Sequence, residues 1–198
     1  MFKPVYWYHG NVKFPEAEVK QVISELRKIG REFIVRGEAV TSYHYSLHQR
    51  PDKIWNKNYA EICKEITTNA GIYSTCRYDY QYWSQLYTTN NTHPPHHHYN
   101  DSYERGRLDI RSDISFVHFI QPEEKAFKFI DNEGNDHTLL HQDPGDIICF
   151  PSWVWHWVAP VQSPERFCVA GNIELLELDF FSPKEKYENQ RPRHATRE

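Results

Sequence analysis

Between residues 15 and 30 the apolar positions Val19, Val22, Ile23, Leu26 and Ile29 recur at the three- and four-residue spacing that gathers one stripe on a helix. Pro15 suits the first turn, Glu16 and Glu18 complement the dipole there, and Arg27, Lys28 and Gly30 mark the end. A second helix is predicted in "NYAEICKEITTNAG", with Tyr59, Ile62, Cys63 and Ile66 on one side and Gly71 after it. Between the two, "EFIVRGEAV" fits a strand or a helix end, and "YSLHQRPDKIWNK" reads as loop.

From Ile72 onward the period shortens. "IYSTCRYDYQYWSQLYTT" is rich in Tyr, Thr and Trp with partial alternation, which suits strands. "DISFVHFI" is a further strand candidate, and "KAFKFIDNEG" with "DHTLLHQ" predicts a hairpin around Asn132, Glu133 and Gly134. "GDIICFP", "WVWHWVAPV" and "RFCVAGNIELLEL" add short strands separated by turn residues. Helices first and strands after predict a mainly β, α+β architecture. The expected form is an antiparallel sandwich or barrel of jelly-roll type, braced by N-terminal helices on one side and with a ligand site in its mouth. No internal repeat or low-complexity linker divides the chain. It is read as a single domain over 1–198: a helical support region (1–71), a β core (72–180) and a tail (181–198).

Composition narrows the class. The 198 residues are 39% hydrophobic, 25% charged and 15% aromatic, a globular balance with room for a core. A net charge of −4 does not indicate a nucleic-acid partner; the local basic patch of Arg105, Arg107 and Arg111 is the one feature that could offset it. The basic run "RPRHATRE" reads as a frayed terminus. No apolar run approaches the roughly 20 residues of a membrane span, and "MFKPVYWYHG" lacks the pattern of a signal peptide, so the expectation is a cytoplasmic chain without a membrane partner. Cys63, Cys76, Cys149 and Cys168 form no CxxC pair and are expected to be reduced, mostly buried thiols.

The densest chemical signal is "HPPHHHYND", residues 93–101. After Pro94 and Pro95 an extended backbone is favoured, and on it His96 and His98 share one face while His97 turns away. Two imidazoles rarely hold a catalytic metal alone. The best third donor is His156 in "PSWVWHWVAPV", where alternation sets His156 and Val154 opposite Trp155 and Trp157; the competing reading is a core histidine packed among tryptophans. Ten positions on, Arg166 offers a fork that grips a carboxylate, or else an ordinary ion pair with Glu165.

Taken together, Gly145, Asp146, Phe150, Pro151, Ser152, His156, Val158, Pro160, Val161 and Arg166, preceded by the H-x-H pair, resemble the late block of the iron(II)- and 2-oxoglutarate-dependent oxygenases, particularly the prolyl-4-hydroxylase-like and related bacterial and phage branches. The resemblance covers roughly residues 72–176. It implies a double-stranded β-helix and a dioxygenase, a hydroxylase, that uses Fe(II), 2-oxoglutarate and O2. By position, His96, His98 and His156 would be the iron ligands and the catalytic centre. Arg166 would clamp the 2-oxoglutarate carboxylate, with Tyr87 hydrogen-bonding the same group. The chain departs from the family in lacking the usual acidic ligand. Asp101, Asp109 and Asp113 follow the cluster, Asp101 being the nearest alternative to His98, and the 99–113 segment would form a lid or substrate-binding edge. Two other readings compete: a cupin-type metalloprotein that does not use 2-oxoglutarate, and a non-catalytic module with a surface histidine loop. The substrate, a small molecule or a peptide, is not specified by the sequence.

Overall fold

The computed structural model describes residues 4–30, 37, 39–70, 77–98, 112–121 and 125–177. A strand the hydrophobic pattern did not suggest, β1 (Trp7–Asn11), precedes helix α1 (Glu16–Gly30). After β2 (Val40–Thr41), the stretch expected as loop holds a short 3-10 helix, Pro51–Trp55, which runs directly into α2 (Asn56–Asn69). Then come β3 (Arg77–Tyr87), β4 (His93–His96), β5 (Ile114–Gln121), β6 (Phe127–Ile130), β7 (Asp136–Thr138), β8 (Asp146–Pro151), β9 (His156–Val158) and β10 (Arg166–Glu177). Only the middle of the predicted "WVWHWVAPV" stretch, His156–Val158, is strand. The basic patch at 105–111, the tail, Asp101, Asp109 and Cys76 lie outside the described residues.

The strands form two antiparallel sheets. The larger has the order β1-β8-β5-β10-β3-β2 and the smaller β4-β9-β6-β7. Non-consecutive neighbours in both sheets are what a double-stranded β-helix requires. Strand alternation divides the molecule into two cores. On β10, Phe167, Val169 and Ile173 join Val22, Leu26, Tyr59 and Ile66 of the helices. Cys168, from the other face of the same strand, joins Phe127, Phe129 and Val158 of the smaller sheet. The other strands repeat the division: Phe116 against Phe119 on β5, Cys149 against Phe150 on β8, Leu86 against Tyr87 on β3. Helices of 14 and 15 residues are marginal alone, so burial of these stripes against the sheet stabilises them, at roughly 1.5–3 kcal/mol per fully buried large apolar side chain.

Three local devices hold this frame. Asp52, fully buried, accepts from Ser42 Oγ at 2.7 Å, Ser84 N at 2.8 Å and Ser84 Oγ at 2.7 Å, tying the 42–55 segment to β3. In the β6–β7 hairpin Gly134 takes φ +83°, and Asp131 accepts from the backbone N–H groups of Glu133 and Asn135. At Gly171 on β10 an added Cβ would lie 2.2 Å from the Phe116 ring and 2.8 Å from Gln81 O, so the ring sits directly on the strand backbone. Among the described residues no helix is long and apolar enough to cross a membrane.

Candidate metal centre

β4 pairs antiparallel with β9, placing His96 opposite His156 and His93 opposite Val158, with a register shift between the two pairs. Beyond the strand end, the backbone N–H of His98 donates to Ser152 O at 2.8 Å, which carries the extended segment over the mouth of the barrel. His96, His98 and His156 converge there, one ligating nitrogen from each lying within 4.8 Å of the others.

The second nitrogen of each ring is engaged by an oxygen. Nδ1 of His96 meets Pro94 O at 2.8 Å, Nδ1 of His156 meets Val154 O at 2.9 Å, and Nδ1 of His98 meets Asn172 Oδ1 at 2.7 Å. A carbonyl oxygen can only accept, so each Nδ1 carries the hydrogen and each Nε2 presents a lone pair to the centre. Burial, then neighbouring His93, pulls His96 down to about 4; burial, then His96, does the same to His98; burial and the other two imidazoles hold His156 well below the usual histidine range. At neutral pH all three rings are therefore uncharged. The Nε2 atoms of His96 and His98 face one another at 3.2 Å. Two lone pairs at that distance repel unless a cation lies between them. Imidazole nitrogens about 2.1 Å from a divalent transition metal lie about 3.0 Å apart when they occupy adjacent octahedral positions.

The barrel interior leads from this cluster to a buried cation. Phe127 packs 5.4 Å from the His156 ring and 5.9 Å from Phe119, and the Arg166 guanidinium lies 5.8 Å from the Phe119 ring. Arg166 is fully buried on the first residue of β10, directly opposite Tyr87, whose ring lies 5.0 Å beneath its guanidinium. Nη1 reaches Cys168 Sγ at 3.7 Å, while Nε and Nη2 have no hydrogen-bond partner among the described residues. Glu165, the ion-pair partner weighed for Arg166, instead pairs with Arg27. A buried guanidinium with two empty donors fits a carboxylate that binds from outside the chain.

Comparison with solved structures finds the same architecture. A prolyl-4-hydroxylase from Pseudomonas putida is 15% identical, with a TM-score of 0.55 over 87% of this chain and 92% of that one. The viral collagen prolyl hydroxylase of Paramecium Bursaria Chlorella virus-1, in a 2-oxoglutarate complex, is 12% identical, with a TM-score of 0.57 over 87% and 96%. HygX from Streptomyces hygroscopicus, with nickel and 2-oxoglutarate bound, is 12% identical, with a TM-score of 0.54 over 87% and 83%. This is the fold of the prolyl-4-hydroxylase-like oxygenases. No family model matches the chain, and no curated protein does.

Within this oxygenase fold the other expected site residues are placed as follows. His97 turns away and packs 4.7 Å from Trp155. Tyr87 lends its ring to Arg166, but its hydroxyl donates to Gln85 Oε1 at 3.1 Å. Asp113 does not join the imidazoles: its Oδ2 accepts from Leu175 N at 2.9 Å, fastening the end of β10. Trp83 is buried with its ring 5.8 Å from that of His98, whereas Trp153 and Trp155 are 44% and 48% exposed. Sequence reading missed His93, whose ring packs 4.3 Å from that of His96, and Asn172 and Ser115 behind His98; Ser152, one of the motif residues, was given no role there. The period-2 parity of β10 was the available signal, since Asn172 shares a face with Arg166.

Proposed function

We propose that this protein is an Fe(II)- and 2-oxoglutarate-dependent dioxygenase that hydroxylates its substrate. The observation that carries this reading is one barrel interior holding three inward Nε2 lone pairs and, across Phe119 and Phe127, a buried guanidinium with open donors. His96, His98 and His156 would hold the iron, and Arg166 the distal carboxylate of 2-oxoglutarate. Bound iron with 2-oxoglutarate and O2 supplies the oxidising power for hydroxylation.

The chain's own part is placement and exclusion. The Nδ1 hydrogen bonds hold each imidazole so that its Nε2 faces inward. Arg166, braced on Tyr87, offers two parallel donors that match a carboxylate. Phe127 and Phe150, with ring centroids 5.4 and 4.9 Å from that of His156, keep water from that side. Succinate released from 2-oxoglutarate in the presence of Fe(II), and lost in His156→Ala, is the expected result. Wild-type protein that binds neither iron nor 2-oxoglutarate defeats the reading.

One observation favours a second reading, a cupin-type metalloprotein that does not use 2-oxoglutarate: among the described residues, the metal-binding group is three imidazoles without a carboxylate. That reading leaves Arg166 without a task. Equal 2-oxoglutarate affinity in wild type and Arg166→Ala would select it.

A further inference from the structure

His98 is the one histidine of the three whose orienting acceptor is a side chain. His96 and His156 each bond a carbonyl two residues earlier in their own segment, Pro94 and Val154, an arrangement the local backbone supplies. His98 lies past the end of β4, and its Nδ1 meets Asn172 Oδ1 on the central strand of the opposite sheet at 2.7 Å. Asn172 stands directly between Gln81 of β3 and Ser115 of β5, with 6% of its surface exposed. Its Oδ1 also accepts from Ser115 Oγ at 2.9 Å. With that hydroxyl hydrogen spent on Asn172, Ser115, 3.0 Å from the ring, has only lone pairs to show Nδ1. Ser115 is itself tied to Ser152 at 2.9 Å, and Ser152 O receives the His98 N–H.

We propose that Asn172 is the positioning residue of the metal centre: its amide oxygen selects the Nδ1–H tautomer of His98 and so turns the Nε2 lone pair toward the metal. The inference rests on the metal reading above and adds a residue outside the ligand set. The physical reason is that the hydrogen bond made by one ring nitrogen decides which nitrogen is free to ligate. For His96 and His156 that bond comes with the fold of their own segment. For His98 it depends on one side chain held rigid by strands on both sides. A neutral amide suffices, because the task is to accept one hydrogen.

The test uses the full chain, free of metal, labelled with 15N, at pH 7.5. Long-range 1H–15N correlation spectra report the tautomer of each imidazole directly. The wild type is expected to show the Nδ1–H form at His98. Asn172→Leu, close in size but without an acceptor, is expected to shift His98 toward the Nε2–H form and weaken cobalt(II) binding by calorimetry about 10- to 100-fold. Asn172→Asp, which keeps the oxygen, is expected to retain both the tautomer and wild-type affinity or better. Circular dichroism separates a local effect from unfolding. If Asn172→Leu does not fold, the wild-type spectrum and Asn172→Asp still decide: His98 in the Nε2–H form, or lost affinity in Asn172→Asp, overturns the proposal. Cobalt(II) bound equally by folded Asn172→Leu and wild type overturns it while leaving the metal reading intact. Wild type that binds no cobalt(II) overturns both.

Discussion

Replacing Arg166 by methionine should make the ligand-free protein more stable and at the same time blind to 2-oxoglutarate. In the structure the guanidinium is fully buried, and its Nε and Nη2 find no partner among the described residues. An uncompensated charge in such a place costs about 3–5 kcal/mol. Stacking over Tyr87, at 5.0 Å, returns about 2 kcal/mol of this. Methionine keeps most of the packing volume against Tyr87 and Phe119 and carries no charge, so the net gain is about 1–3 kcal/mol. For a chain of this length that is roughly 2–4 °C per kcal/mol, or about 6 °C at the midpoint of the range. Binding should run the other way. At a 2-oxoglutarate concentration of about one hundred times Kd the wild type gains about 2.7 kcal/mol, and Arg166→Met gains none. Thermal and urea unfolding of both proteins, with and without 2-oxoglutarate and with metal held constant, give all four numbers. A ligand-free Arg166→Met protein less stable than wild type by more than 2 kcal/mol, with its 2-oxoglutarate stabilisation intact, would refute the reasoning, because the guanidinium would then be satisfied by the protein itself.

His97→Ala should leave cobalt(II) affinity within about twofold of wild type, because the ring packs on Trp155 and not on the centre, while His96→Ala abolishes binding; calorimetry on the two variants checks the alternation argument. Gly171→Ala should lose about 1–3 kcal/mol in urea unfolding, since the new Cβ meets the Phe116 ring and the Gln81 carbonyl, and Phe116→Leu in the same chain should restore part of the loss. His118 accepts from Tyr59 Oη at 2.9 Å, donates to Val12 O at 2.8 Å, and is pulled down to about 4 chiefly by burial. Its folded value lies below its unfolded one, so its contribution is complete above about pH 6.5 and is lost as pH falls toward 4. Between pH 7.5 and 5 that loss is about 2 kcal/mol, and urea midpoints of metal-free His118→Gln should depend on pH by that much less than wild type.

The parts of the fold that were legible in sequence are those where one face alone decides. α1 declared itself through Val22, Ile23 and Leu26, and α2 through Tyr59, Ile62 and Ile66, because each buries a single stripe. β5 and β8 read as short continuous apolar runs because both of their faces are covered, one by helices and one by the smaller sheet. β1 escaped because its pattern, WYHGN, has no apolar alternation and its place is set by pairing with β8 far along the chain. The 3-10 helix at Pro51–Trp55 escaped because Asp52, a residue that reads as turn, is buried by hydrogen bonds to Ser42 and Ser84 that no local pattern records. In the site, the convergence of His96, His98 and His156 follows from period-2 alternation plus one pairing of β4 with β9. Strand parity places Asn172 on the face of Arg166 but does not single it out, because an asparagine in a strand acquires meaning only from what stands opposite it, here Ser115.

The pairing of β3 with β10 has one more consequence. Its inward positions form a ladder of cross-strand pairs: Tyr87 with Arg166, Gln85 with Cys168, Trp83 with Ala170, Gln81 with Asn172. Arg166 and the Asn172 that holds His98 are thus six residues apart on one unbroken strand, about 20 Å at 3.4 Å per residue. No hinge or loop intervenes, and β3 and β5 clamp the strand from both sides. The interval works as a fixed gauge. If 2-oxoglutarate binds as proposed, no loop movement would change the backbone spacing of the residues that hold its two ends; only sliding β10 past two neighbours and breaking their backbone ladders would. The separation of the two ends of the proposed site would in this way be set by sheet register.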